Sequence, residues 1–567
     1  MAGPSTTPQP SAGSDVVERP LALSSGFVYA VTFITQLVGY ISSFFIARHI
    51  ATNESGLDLA GFIQFNLLLA TSINTLGELR LGSAFVYYIA RDSTLTRYTG
   101  SYLASRTGFV AFFGIALLAL APFIHIVSPS GTFMVSSSTL FLCLAVFMIL
   151  PLLWTPGVIY SQLFVGLGNS IRGQLPTLVE SVVRTTGLVV VALTFPTVQG
   201  VVDSHAIWGL TIAYVLGAGA SSAIAVPVVL RHFTRPRWSA LRHLLDYSWP
   251  LLGSLGLLYL TTNAMPLLVR LFYEVGAVAV FNAANGFRVL LLALPNAVVI
   301  PLFPHLAALH ERRAMELLKD RIWRALRYTG MMVVPGTVLF VVYRTDLLRL
   351  LFQASYVIGV PQAGGAATPL AILALSAVPL ALSQIIGTSL NAIGMQRLEF
   401  YLTLLQIIVL FAGVFGFFYA HGVFGFTGLA AMAFAALLSS VAALVLNAFF
   451  LYRYIRIPVR WRPVGTILLA GVVEFLVLSR LNALASVISF FQVNRWYELL
   501  GLGAVALAVY VAVLLAVGEL SRQDLRTFLG AVGLPERWSN VLSRIAWKES
   551  ADPEPGPEGG RTGPDSP

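Results

Sequence analysis

Long apolar runs separated by short polar segments dominate the sequence. A helix needs about 20 apolar residues to cross a hydrocarbon core about 30 Å thick. The pattern predicts fourteen such helices, at residues 25–47, 61–88, 101–123, 135–157, 176–195, 207–230, 248–271, 278–303, 328–345, 368–391, 399–420, 425–450, 464–480 and 497–517. The predicted fold class is therefore an all-α polytopic membrane protein with 14 transmembrane helices.

The composition excludes an ordinary soluble protein. Hydrophobic residues make up 57% of the 567 residues and charged residues only 11%, whereas soluble chains carry about 25% charged residues. The mean hydropathy is +0.81. Cys143 is the only cysteine, and the eight His show no paired metal-ligand spacing. We therefore expect no disulfide, no metal site and no cofactor.

The basic residues are distributed unevenly between the two predicted faces. If the N-terminus is cytoplasmic, 19 of the 35 Lys and Arg lie in cytoplasmic segments, six lie in the C-terminal tail, and six lie on the opposite side. The positive-inside rule then predicts that both termini are cytoplasmic. The net charge of +10 is explained by this asymmetry and by anionic lipids, so no nucleic-acid partner is expected.

Four short matches between the two halves of the chain indicate an internal repeat. They occur in the same order at offsets of 216 to 226 residues. The matching pairs are FFIARHI at 44–50 with LLVRLFY at 267–273, Phe65 and Asn66 with Phe281 and Asn282, Gly168 and Glu180 with Gly394 and Gln406, and WGLTIAY at 208–214 with TGLAAMA at 427–433. Such self-similarity predicts a duplicated six-helix unit.

A duplicated unit of six helices keeps the same orientation in both copies. The copies should therefore form two pseudo-symmetric lobes related by an axis along the membrane normal, with a site between them. This organisation favours a transporter that rocks between two states. The predicted regions are a disordered cytoplasmic leader (1–21), an N-lobe (22–231), a C-lobe (232–456), two further helices (457–518), and an amphipathic cytoplasmic segment with a disordered tail (519–567).

Three segments carry a resemblance to a known family. They are TLGELRLGSAFVYYIAR at 75–91, the stretch 247–309 with Pro250 and the Phe303 and Pro304 pair, and SQIIGTSLNAIGMQR at 383–397. Together with the six, six and two helix count, they resemble the polysaccharide and oligosaccharide-lipid flippases of the multidrug/oligosaccharidyl-lipid/polysaccharide exporter superfamily. The resemblance covers roughly residues 22–520.

The resemblance implies export of a polyprenyl-(pyro)phosphate-linked glycan. Members often carry an Asp in the seventh helix, near the position of Asn263 to Met265, and this chain has no carboxylate there. Ion coupling through this helix is therefore left open. The match to peptidoglycan lipid-precursor flippases is poorer, because their arginine-rich first helix is absent.

Arg288 is the leading candidate for a substrate phosphate. It lies near the middle of the eighth predicted helix, where an ionisable side chain costs about 2.5 to 3.5 kcal/mol and should face a partner or a cavity. Asn285 and Asn282 precede it at successive turns, which suggests a polar stripe. The alternative is a structural arginine that donates to helix-end carbonyl groups.

Five further charged residues within the predicted helices are candidates for a site. Glu180 and Arg184 have the i,i+4 spacing of a helical ion pair, which favours a self-neutralised pair and a cavity role about equally. Glu78 and Arg80 are two residues apart and point in different directions; Glu78 is a candidate for ion coupling, as is Glu180, and Arg80 is a candidate for substrate binding. Arg106 is a weaker substrate candidate, because an arginine near the membrane edge can extend to the lipid headgroups.

These observations predict a non-enzymatic flippase of the cytoplasmic (plasma) membrane. Its expected substrate is a lipid-linked oligosaccharide moved by alternating access, and its expected partners are membrane lipids and glycan-assembly enzymes. One alternative is a multidrug or cation antiporter of the same superfamily, which would need an acidic cavity. A less favoured alternative is a membrane glycan polymerase or ligase, which would need a large outer loop.

Overall fold

The structure is a computed structural model that describes residues 34–35, 38–79, 81–91, 96–120, 137–167, 169–195, 204–248, 252–420, 425–457, 461–485 and 496–519. The helices are α1 (38–49), α2 (Glu54–Glu78), α3 (Leu81–Arg91), α4 (Thr96–Leu120), α5 (Ser137–Gly166), α6 (Ser170–Gly173), α7 (Leu175–Thr194), α8 (Ser204–Arg231), α9 (Trp238–Ser248), α10 (Leu252–Phe272), α11 (Val275–Glu311), α12 (Met315–Val342), α13 (Arg344–Leu351), α14 (Ala354–Ile358), α15 (Ala367–Ala392), α16 (Gln396–Tyr419), α17 (Gly428–Ile455), α18 (Trp461–Ala485) and α19 (Trp496–Ala516).

The all-α membrane fold is confirmed. Within the described residues, eleven helices are long and apolar enough to cross a membrane, and α10 and α19 contain shorter apolar stretches. Each of the fourteen predicted segments overlaps one of the helices, while the exact number of membrane crossings stays a prediction. The predicted leader and almost all of the predicted C-terminal segment lie outside the described residues.

The second predicted helix, 61–88, differs from the structure at both ends. Helix α2 begins earlier, at Glu54, where the Asn53 side chain accepts from the Gly56 amide. It ends at Glu78, because Leu79 adopts a left-handed conformation with a φ of +45°, which an L-residue other than glycine rarely adopts. Helix α3 then starts as a separate element. Glu78 and Arg80 interrupt the apolar run at this break, but the apolar residues on both sides of it led to the prediction of one continuous helix.

The helices fall into two packed groups. Helices α2, α4, α5, α7 and α8 pack on one another, α11, α12, α15, α16 and α17 do likewise, and α18 and α19 pack on α12. A Cβ added at Gly187 of α7 would lie 2.9 Å from the Ala213 Cβ, and one added at Gly413 of α16 would lie 3.0 Å from the Ala435 Cβ. These equivalent contacts, at offsets matching the repeat, support the two-lobe duplication, which remains a prediction.

The two groups meet where α2 and α11 cross near their N-termini. The Asp58 carboxylate accepts from the Gly276 amide at 3.0 Å, and Asn282 donates to the Gln64 side-chain oxygen, also at 3.0 Å. A Cβ on Gly61 would lie 1.9 Å from the Val275 carbonyl oxygen, so only glycine permits this close approach. We call this region the joined end; by the predicted topology it is the outer face.

The packing of the two groups is different at the opposite end. At the joined end, one hydrophobic core takes residues from both groups. Away from it, Leu81, Tyr102 and Leu163 belong to one core, whereas Leu306 and Leu390 belong to another, and the described residues of these two cores come from different groups. We call this the separate end. Among the described residues, the hydrophobic core that the two groups share therefore lies at the joined end.

Candidate functional site

Arg288 lies on α11 and lines a cleft inside the second helix group. Its described neighbours there come from α10, α16 and α17 and are Met265, Gln406, Ile407, Leu410, Ala436, Ser439 and Ser440. The Ser439 hydroxyl donates to the Gln406 carbonyl oxygen at 3.0 Å, which ties α16 to α17. None of these neighbours is acidic, and no ion pair of Arg288 occurs among the described residues. The cleft thus holds a positive charge without a counter-charge.

The cleft is narrow in this conformation. Its free volume is about 20 Å³, which is close to the room that one water molecule needs. Burial of a guanidinium beside apolar side chains is unfavourable unless hydrogen-bond acceptors satisfy it. An anion could supply them, but a phosphate is larger than this volume, so the helices around the cleft would have to separate to admit one.

The predicted polar stripe on α11 is divided in the structure. Asn282 reaches across to Gln64 of α2 at the joined end, whereas Arg288 faces α16 and α17. Positions six apart differ by about 240° around a helix, which explains why they meet different neighbours. Asn285 lies between them and is half-buried. The three side chains therefore do not form one binding surface in this state.

Glu180 and Arg184 form the ion pair that their spacing predicts. The Arg184 Nη1 and the Glu180 Oε1 are 3.1 Å apart, and the side chains are 21% and 18% exposed. The Arg184 guanidinium also lies 5.7 Å from the ring centroid of Tyr214, a cation–π arrangement. The positive charge of Arg184 is therefore largely neutralised locally, and a role in substrate binding or ion coupling stays a prediction for both residues.

The expected lipid-facing position of Arg106 is wrong. Its side chain is fully buried in α4, where the Nη2 donates to the Asn74 side-chain oxygen at 2.6 Å. Its Nη1 lies 3.5 Å from the Glu78 Oε2. Arg106 therefore interacts with a carboxylate and an amide of α2 instead of with lipid headgroups. Arg80 lies outside the described residues.

Several residues of these sites were not expected from the sequence. Gln406 entered only as the repeat counterpart of Glu180, and Ser439 and Ser440 were not considered. A polar residue within an apolar helix was the available signal for each of them, but it does not tell which helix faces it.

Comparisons with known proteins agree with the family resemblance of the three sequence segments. A family model described as "Polysaccharide biosynthesis protein" matches residues 178–361, less than half of the chain. The structure of the lipid II flippase MurJ in an inward closed conformation has a TM-score of 0.62 at 14% identity, covering 86% of this chain and 98% of that one. The chain has the fold of these exporters. Its resemblance to them is confirmed at the level of fold and of the partial family match.

Two multidrug transporters share the same fold. An inward-facing MATE family transporter of the MOP superfamily has a TM-score of 0.59 at 16% identity, covering 74% of this chain and 94% of that one. The MATE multidrug transporter DinF-BH has a TM-score of 0.53 at 15% identity, covering 80% and 99%. No curated protein matches the chain in sequence. The fold is common to flippases and drug transporters, so the site chemistry must separate them.

Proposed function

We propose that this protein is a flippase that moves a polyprenyl-(pyro)phosphate-linked oligosaccharide from the cytoplasmic to the outer leaflet. The observation that carries the proposal is Arg288, a guanidinium inside a helix group with polar neighbours and no acidic one. Arginine can donate two parallel hydrogen bonds to a phosphate. A cationic drug would be repelled at the same position, since the local charge has the wrong sign.

The transport cycle proposed here is alternating access. With the joined end at the outer face, the present conformation would face the cytoplasm, and the helices around Arg288 would have to separate before the substrate phosphate could bind. Separation of Asp58 from Gly276 and of Gln64 from Asn282 would then open the opposite face. A membrane potential, negative inside, favours outward movement of an anion by about 2.3 kcal/mol per charge per 100 mV. The polyprenyl chain would stay in lipid while the head group crosses.

The proposed setting follows the predicted topology. The protein would lie in the plasma membrane with both termini in the cytoplasm, near glycan-assembly enzymes that make or consume the lipid-linked glycan. Membrane lipids are the other partners, and the mechanism needs no cofactor. Arg288 would bind phosphate, while the roles of Asn282, Asn285, Arg80, Arg106 and Arg184 in substrate binding belong to the same proposal.

Reconstitution in liposomes with a fluorescent lipid-linked oligosaccharide tests the function. Arg288→Ala should slow flipping about 10- to 100-fold, because a hydrogen bond to a charged group contributes about 1.5 to 3 kcal/mol. Arg172→Ala is the matched control, since Arg172 is exposed on α6 and should leave the rate unchanged. Equal rates for wild type and Arg288→Ala would remove Arg288 from the mechanism.

The second candidate is a multidrug or cation antiporter, which the fold of the MATE transporters favours. Glu78 is the acid that this function would use, because its side chain is 26% exposed beside Arg106. Efflux of a cationic dye separates the two functions. Efflux that survives Arg288→Ala and disappears in Glu78→Gln would establish the antiporter instead of the flippase.

A further inference from the structure

The interface of α12, α18 and α19 contains an ionisable group that the transport site does not use. Glu474 lies midway along α18, and its side chain is fully buried. Neither of its carboxylate oxygens has a hydrogen-bond partner among the described residues. The hydroxyl of Tyr510 on α19 is buried within the same interface and likewise has no partner in the described part of the chain.

Among the described residues, the core around Glu474 contains no charged side chain. The described core of this interface is Met331, Val334, Ile467, Ala470, Tyr510 and Leu514. The charged groups on the same helices are engaged or distant: Arg327 of α12 pairs with Glu519 at 3.2 Å, Arg480 is exposed six residues further along α18, and Glu498 lies in the first turn of α19. Tyr510 of α19 is near enough to interact electrostatically with Glu474, and Tyr328 of α12 is the other titratable side chain that packs against this core.

Burial decides which form of Glu474 suits this interface. An ionised carboxylate without a cation would cost several kcal/mol after protein relaxation. A neutral carboxyl carries one O–H donor and can share a hydrogen bond with a phenol, directly or through one water. One carboxyl and one hydroxyl are too few oxygen ligands for Ca²⁺ or Mg²⁺. A proton therefore satisfies the site better than a metal ion.

We propose that Glu474 is a proton-binding site, and that its bound proton holds α18 and α19 against α12. The described core around Glu474 is apolar and α12, α18 and α19 are in contact, so an ionised carboxylate could be hydrated only after the helices separate. A Cβ on Gly471 would lie 2.7 Å from the Val334 Cγ1, and one on Gly503 would lie 3.8 Å from the Leu339 Cδ2. Release of the proton therefore requires the helix pair to move away. This inference does not depend on the transported substrate.

Carbodiimide labelling tests proton occupancy, because dicyclohexylcarbodiimide modifies protonated carboxyl groups in apolar surroundings. In the full-length protein in lipid nanodiscs, mass spectrometry should find Glu474 labelled at neutral pH and Glu180 unlabelled, since Glu180 pairs with Arg184. Labelling should fall about tenfold per pH unit above its midpoint, as the protonated fraction does. Tyr510→Phe should shift that midpoint. Absence of labelling at Glu474 at every pH would overturn the proposal, and so would protection by Na⁺ at constant pH.

A cross-link between α12 and α19 tests the structural consequence. Cysteines at Leu339 and Gly503, in a chain where Cys143 is changed to Ser, should form a disulfide when the helices are docked. E474Q mimics the protonated carboxyl and serves as the reference, because alkaline pH speeds disulfide formation in both proteins. The rate of wild type relative to E474Q should fall as pH rises. A ratio that stays constant with pH would show that ionisation does not undock the helices.

Discussion

The two helix groups have polar side chains at matching positions. They differ in whether an arginine there is paired with a carboxylate. On α7, Glu180 neutralises Arg184 within one helical turn, at 3.1 Å. On α16, the counterparts at an offset of 226 are Gln406 and Leu410, and both line the cleft of Arg288, which comes from α11. One group therefore contains an internal ion pair, and the other contains an arginine beside an amide.

The difference between Glu and Gln at this position determines the local charge. Both side chains have similar size and reach, but only the carboxylate cancels a guanidinium. A duplicated transporter with two neutralised sites would have no obvious preference for an anion. At the matching positions the second group has Gln406 and Leu410, so it lacks both members of the pair, and its cationic cleft depends on Arg288 from α11. The comparison therefore supports the proposal that the substrate binds in the second group, while the first group contains an internal ion pair.

The sharpest way to break the comparison is to give Arg288 the carboxylate that Arg184 has. Gln406→Glu should reduce binding of the phosphate-containing substrate about 10- to 100-fold, because the new ion pair competes for the guanidinium at about 1.5 to 3 kcal/mol. Equilibrium binding of a fluorescent lipid-linked oligosaccharide measures this change. Gln406→Met, which keeps the size without the charge, is the matched control and should have the smaller effect. Equal losses in the two variants would contradict the electrostatic explanation.

The reciprocal change frees Arg184. Glu180→Gln should lower the free energy of unfolding by about 1 kcal/mol, since both side chains are partly exposed and such pairs are weak. Flipping should change less than in Gln406→Glu, because the substrate charge is bound in the other group. Thermal unfolding in detergent and the liposome assay measure the two effects. A flipping loss as large as that of Gln406→Glu would place the substrate site in both groups.

Sequence reasoning was successful where the physical signal is local. The apolar runs located the helices, because each run corresponds to one membrane crossing. The i,i+4 spacing predicted the pairing of Glu180 with Arg184, because the two residues are about one helical turn apart. It failed for Arg106, whose partners Asn74 and Glu78 belong to another helix. It also could not connect Arg288 with Gln406, because those positions meet only when α11 and α16 pack. Contacts between helices require the rotation of each helix about its axis, which a single sequence specifies weakly.

In the proposed cycle the joined end opens to the outer face. The smallest of the predicted effects is expected there. Glu274 lies between α10 and α11, outside the membrane-spanning segments. Partial burial raises the pKa of Glu274 above its ordinary 4.5, nearby Asp58 and Glu54 raise the pKa further, and Arg270 opposes them. The joined conformation thus disfavours the ionised form. That penalty is absent below the ordinary pKa and complete above the raised pKa, so the joined conformation should lose stability as pH rises through this interval.

Spin labels at Thr52 and Ile358, on the two sides of the joined end, would report this change as a longer mean distance when pH rises from just below 4.5. Glu274→Gln should remove most of the pH dependence, because the amide does not ionise. Glu316→Gln should leave it intact, since Glu316 is exposed in the first turn of α12 and pairs with Lys319. The shift should be small, because Glu274 is itself exposed and water screens its charge. A mean distance that stays constant with pH in the wild type, or one that still changes in Glu274→Gln, would contradict this prediction.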